Sequence, residues 1–175
     1  MVCIASGPSL TAADCELVHA AGHPAVAVNT SFRLALWADV IFAHDQRWWA
    51  AYGAEVEKTF KGRKMSVHTK NVESLYNCGW FPQAANSGAC AVYVAIAAKA
   101  AKVVLIGYDC QRRGQQTHWH GDHPGRMSNG ASIRAWPKQF EAVATAAKRA
   151  EVRVVNASRE TALTCFPLVA LEAAL

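Results

Sequence analysis

The chain has 175 residues, 52 % of them hydrophobic, with 18 Lys and Arg against 13 Asp and Glu for a net charge of +5. That length makes one ordinary domain, residues 1–175, able to bury a full core without disulfide or metal support. The basic excess is scattered (Lys58, Lys61, Arg63, Lys64, Arg112, Arg113, Arg126), which argues against a nucleic-acid-binding tail and leaves a surface tolerant of anionic ligands.

Val2 to Ala5 reads as a short buried strand, after which Thr11 caps a helix with Asp14 three residues on, and Gly22 and Pro24 stop it. Ala25 to Val28 is the second strand and Val40 to Ala43 the third, ending at His44-Asp45, with one or two helical turns over Ser31 to Trp37 between them. Gln46 to Phe60 has helical composition, weakened by Gly53, and Met65 to His68 is a candidate fourth strand. Val72 to Gln83 has no clear period and is read as irregular. Asn86-Ser87-Gly88 leads into an Ala-rich helix, Ala89 to Ala101, and Lys102 to Ile106 is the clearest strand in the chain. Cys110 to Ser132 is a polar loop, of a length usually reserved for functional segments. Ile133 to Ala150 is a helix with Pro137 in its first turn, and Arg153 to Val155 is a last strand ending at Asn156.

Strands alternating with helices imply a mainly parallel sheet covered on both faces, so the expected fold is an α/β, three-layer Rossmann-like sandwich. The apolar N-terminal run ends at Ser6 with no basic segment before it, and reads as a strand and not a secretion signal. The longest apolar stretch, Gly88 to Ala98, is far short of the ~20 residues a bilayer requires, so no membrane partner is expected. Six cysteines stand singly without a C-x-x-C pair, several among Ala, Val and Ile, as buried free thiols in a reducing cytoplasm would.

In such a sheet the carboxyl ends of the strands share one edge, so polar clusters placed there meet in one crevice. Ser6-Gly7-Pro8-Ser9 follows the first strand, Asn29-Thr30-Ser31 the second and Gly107-Tyr108-Asp109 the strand at 102–106. The first lacks the spacing of a P-loop or of G-x-G-x-x-G, yet its backbone N–H groups and hydroxyls suit a phosphate or ribose; a plain turn competes. Asn29 suits a nucleoside, with an Asx-turn as the alternative, and Ser87-Gly88 opens a helix whose N-terminus suits an anion, although capping alone explains Ser87. Asp45 and Asp109 follow strand ends and are candidates for a divalent cation or a ribose; capping is again the alternative. Trp48-Trp49, Trp80 and Trp136 offer stacking surfaces or core.

His118-Trp119-His120-Gly121-Asp122-His123 matches the H-x-H-x-D-H zinc signature of metallo-β-lactamase-like hydrolases, but that family needs further histidines downstream and none follows His123. The alternatives are a solvated His-rich loop, or histidines that act as bases at a nucleotide site.

Taken in order, Ala5-Ser6-Gly7-Pro8-Ser9-Leu10, Val28-Asn29-Thr30-Ser31-Phe32, Asn86-Ser87-Gly88-Ala89 and Leu105-Ile106-Gly107-Tyr108-Asp109, with the histidine segment after them, resemble the motifs of the Rossmann-like bacterial sialyltransferases. They are equally similar to the domain of the archaeal 6-hydroxymethylpterin diphosphokinases, and the whole chain resembles small phage- and prophage-encoded proteins. The sialyltransferase resemblance implies nucleotide contacts from Gly7, Pro8, Ser9, Asn29, Ser87 and Gly88; Ser6, Tyr108 and Asp109, at the same strand ends, are counted with them as nucleotide-binding candidates. It also implies a catalytic loop of His118, His120, Asp122 and His123 in which one histidine is the base. Ser6 stands where those enzymes carry Asn, their phosphate-holding tyrosines have no counterpart beyond Tyr108, and their acceptor-binding lid is largely missing. The diphosphokinase resemblance implies ATP and magnesium in the same crevice, with Asp45 or Asp109 as metal contacts.

The expected function is a nucleotide-binding transferase that moves a glycosyl group from an activated nucleotide donor to an acceptor hydroxyl, on a glycan or nucleic acid, in a cytoplasm that is the host's if the chain is phage-encoded. The alternatives are pyrophosphoryl transfer from ATP and magnesium, a non-catalytic nucleotide-binding module, and last a zinc hydrolase; an oligomer is compatible with each.

Overall fold

The computed structural model describes residues 1–67, 75–79, 86–125, 127, 130 and 132–175. Val2, Cys3 and Ile4 form the first strand (β1, Val2–Ile4), fully buried, as a strand covered on both faces must be. Thr11 then caps α1 (Ala12–Ala20) in a complete capping box: its hydroxyl accepts from the Asp14 N–H, while the Asp14 carboxylate accepts from the Thr11 N–H and hydroxyl. The second and third strands are β2 (Ala25–Val28) and β3 (Val40–Phe42). The helical turn between them is a 3-10 helix over Asn29–Arg33, starting two residues before the expected position, with Asn29 at φ 51 where the chain leaves β2. Asp45 caps α2 (Gln46–Thr59), where Gly53 sits among buried residues.

The fourth strand, β4 (Arg63–Ser66), begins two residues ahead of the expected Met65 to His68, and His68 lies outside the described residues. Tyr76–Asn77 form a short edge strand, β5, within the stretch read as irregular; both residues are exposed, so there was no apolar alternation to reveal it. The Ala-rich helix α3 (Ser87–Ala97) ends earlier than expected, and Lys99, at φ 56, turns the chain into β6 (Lys102–Ile106). A 3-10 turn over Ile133–Ala135 leads into α4 (Trp136–Arg149), with Pro137 in its first turn as expected. The last strand, β7 (Arg153–Asn156), is followed by a short helix α5 (Leu171–Ala174) that sequence reading missed.

All strand pairs are parallel, in the order β5-β4-β3-β2-β1-β6-β7. Successive strand residues point to opposite faces, so Val2, Ile4, Val104 and Ile106 pack on the side of α1, α2 and α5, whereas Cys3, Val103 and Leu105 pack on the side of α3 and α4. The result is the expected three-layer Rossmann-like sandwich. Strands β1 to β5 are laid outward in one direction, and the chain then returns to place β6 and β7 on the other side of β1. The order therefore reverses between β1 and β6, where an open α/β sheet forms its crevice. Among the described residues no helix is long and apolar enough to cross a membrane.

Candidate functional site at the strand reversal

The junction of β1 and β6 is too tight for side chains. Gly7 N–H donates to the Gly107 carbonyl at 2.8 Å, and a Cβ on Gly7 would fall on the Asp109 carboxylate. Gly107 lies at φ 67, where its missing Cβ would sit 2.5 Å from the Ala5 carbonyl oxygen. Asp109, buried, accepts from the Ser9 N–H and hydroxyl, both at 2.8 Å. Burial raises its carboxyl above the ordinary range, with the two Ser9 bonds opposing. The Gly-Pro-Ser turn is thus held from beneath by an aspartate a hundred residues away, and the donors of Ser9 serve that contact.

Above this floor opens a cleft of about 250 Å³. Of the sequence-predicted residues, Ser6, Gly7, Asn29, Asp45, Ser87, Gly88, Tyr108, His118 and His123 line it, with Trp136 beside them. Pro8, Ser9, Asp109, His120 and Asp122 do not, and Asp122 is exposed. The strand-end loops therefore meet, but the Gly-Pro-Ser turn presents only its first part. Trp48 and Trp49 belong to the core, 2 % and 1 % exposed, and Trp80 lies outside the described residues.

Several wall residues have structural partners. The Ser6 hydroxyl donates to the Val28 carbonyl (3.3 Å) and lies 3.1 Å from the Ser31 hydroxyl. Asn86, not Ser87, caps α3, its Oδ1 accepting from the Ala89 N–H at 3.0 Å, which leaves the Ser87 hydroxyl to accept from the His44 N–H at 3.0 Å. The Tyr108 hydroxyl donates to the Gly88 carbonyl, fixing the start of α3 over β6, and burial pushes that phenol well above its usual range.

Asn29 differs from these. It holds φ 51, and its side-chain Oδ1 is buried at the cleft wall without a hydrogen-bond partner. An unsatisfied buried acceptor costs about 1–3 kcal/mol, which a ligand donor would restore. The left-handed backbone lets a short polar side chain leave the strand end sideways, into the crevice.

The histidine loop forms the opposite wall. Trp119 N–H donates to the Ser6 carbonyl, tying the loop to the end of β1, and Gly121, at φ 84, lets the chain turn so that its N–H meets the His118 carbonyl. This folds His118, His120 and His123 together, with ring centroids 5.2, 5.0 and 4.8 Å apart. Burial, reinforced by the neighbouring rings, lowers His118 to about 4 and His120 to about 3; burial also lowers His123, with Asp122 and Asp45 opposing. All three imidazoles are therefore neutral at pH 7. The Nε2 atoms of His118 and His120 are buried without a partner. His118 keeps a backbone hydrogen bond to Ser6, and His123 Nδ1 lies 3.4 Å from the Tyr52 hydroxyl on α2.

Sequence reading missed His44, Gln111, Thr117, Ser132 and Phe140 as cleft residues, and singled out Asn86 only as part of the Asn86-Ser87-Gly88 cluster. Only Asn86 carried a signal, as a good cap beside a helix start; the others reach the cleft through loop geometry or, for Phe140, across two packed elements. Compared with known proteins, the chain matches no family model, no curated protein and no solved structure.

Proposed function

We propose that the protein is a nucleotide-binding transferase working in this cleft. Donor phosphates rest against the Ser6-Gly7 backbone and the first turn of α3, Asn29 takes a hydrogen bond from the nucleoside, and the acceptor hydroxyl meets the imidazole wall of His118 and His123. The observation that carries the reading is the buried, unpartnered Asn29 Oδ1 in a cleft at the sheet reversal, because it marks a place where a ligand donor is wanted. Glycosyl transfer is favoured over pyrophosphoryl transfer. Asp45 at the cleft wall, whose Oδ1 caps α2 by accepting from the Arg47 N–H, supports an ATP and magnesium variant of the same site better than Asp109, which does not line the cleft and is held through both oxygens by Ser9.

The test is a thermal-shift and calorimetric screen of CMP-sugars, UDP-sugars, and ATP with and without Mg²⁺, followed by a turnover assay with the best ligand. A saturable rise in melting temperature with one nucleotide class, reduced by Asn29→Gly, is expected. Binding without turnover of any donor would reduce the reading to a nucleotide-binding module, and no binding at millimolar concentration would overturn it.

A further inference from the structure

We propose that His118, His120 and His123 together bind one divalent transition-metal ion of the zinc class, with a coordination position left open toward the nucleotide cleft. The imidazole cluster would hold such an ion whether or not the cleft binds a nucleotide.

One ligand nitrogen from each of the three histidines lies within 4.8 Å of the other two. Three atoms no farther apart than that can all lie within about 2.8 Å of a common point, so each need move less than about 1 Å to reach a Zn–N distance of about 2.0–2.1 Å. The donors are available: the Nε2 atoms of His118 and His120 are buried with no other partner. The outer partners are those of metal-bound histidines, whose second nitrogen is held by a carbonyl or hydroxyl. His118 has its bond to the Ser6 backbone, and His123 Nδ1 faces the Tyr52 hydroxyl. A solvated His-rich loop would leave these rings exposed, yet His118 and His123 are 8 % and 9 % exposed.

An all-imidazole set suits Zn²⁺, Co²⁺ or Ni²⁺ and is unsuited to Mg²⁺ or Ca²⁺, which take oxygen ligands. Three protein ligands with a fourth position open is the pattern of a catalytic zinc and not of a structural one. His118 and His123 line the cleft while His120 sits behind them, so the open position faces the acceptor side of the crevice. In the loaded protein the three rings act as one ligand set, and an acceptor hydroxyl or water would meet the metal in place of a free imidazole.

The full chain, stripped with chelator and free of nucleotide, is titrated with Co²⁺ and Zn²⁺. We expect one equivalent per chain, the intense visible absorption of tetrahedral Co²⁺, its displacement by Zn²⁺ but not Mg²⁺, and a rise in melting temperature with either ion. His118→Ala and His120→Ala should each weaken binding about 100-fold or more, while His19→Ala, remote on α1 and stacked on Trp37, leaves it unchanged. No saturable binding by the folded wild-type chain up to millimolar Co²⁺, a result that needs no variant to fold, overturns the inference. So does undiminished affinity in folded His118→Gln and His120→Gln proteins. Nucleotide binding is measured separately on the stripped protein, so loss of either reading is seen independently of the other.

Discussion

Asn29 is placed for a ligand at a cost to the fold, so substitution should separate stability from binding. Asn29→Gly keeps the left-handed backbone at φ 51 and removes the unsatisfied acceptor. Unfolding free energy is expected to stay within about 1 kcal/mol of wild type, while affinity for the preferred nucleotide falls about tenfold or more. Chemical denaturation and calorimetry on the same preparation would check both halves, and equal losses in the two would place Asn29 among structural residues. At this scale the sequence was informative about residue type and poor about direction. An Asn after a strand is visible as a candidate, but Ser9 looks equally polar and equally well placed, and only the position of Asp109 explains why its donors point down into the floor.

Between elements, the strongest constraint is the contact of β1 with β6. Gly7→Ala would drive a methyl group into the Asp109 carboxylate and the Gly107 carbonyl, backbone and buried carboxylate that cannot yield, so a loss of about 3 kcal/mol or more is expected in urea denaturation. A milder, pH-dependent link joins α1 to the segment after β7. Burial works to raise the Asp14 carboxyl, but the Arg159 ion pair at 2.7 Å and the Thr11 bonds outweigh it and hold it below the ordinary 3.8. A carboxylate depressed in the folded state adds stability above its unfolded value, and that contribution disappears as pH falls through the folded value. Asp14→Asn should therefore cost about 1 kcal/mol at pH 7, with the gap from wild type in denaturant midpoint closing below pH 3.8. A gap constant down to pH 2 would contradict the assignment. Elements buried on both faces were legible because β1, β2, β3 and β6 are apolar runs stopped by polar residues. Strand β5 was not, since Tyr76 and Asn77 are exposed at the edge and carry no pattern, and the three histidines sit in an irregular loop where no period says which side chains converge.

For the molecule as a whole, the parallel sheet and its reversal between β1 and β6 follow from the alternation of strands and helices, whereas the walls of the cleft depend on loops whose course no local rule gives. Core packing on the α3 and α4 side can be tested through Phe140, 1 % exposed and edge-on to Tyr108 and Phe166: Phe140→Ala should lower stability by about 3–5 kcal/mol and loosen the cleft beside Tyr108. One wall of that cleft belongs to the layer of α3 and α4, and the other leans through His123 on Tyr52 of α2, in the layer across the sheet. An occupant would therefore bridge the two shells of helices on either side of the sheet. Saturating the crevice should slow amide hydrogen exchange in both shells at once, binding them into a single cooperative unit.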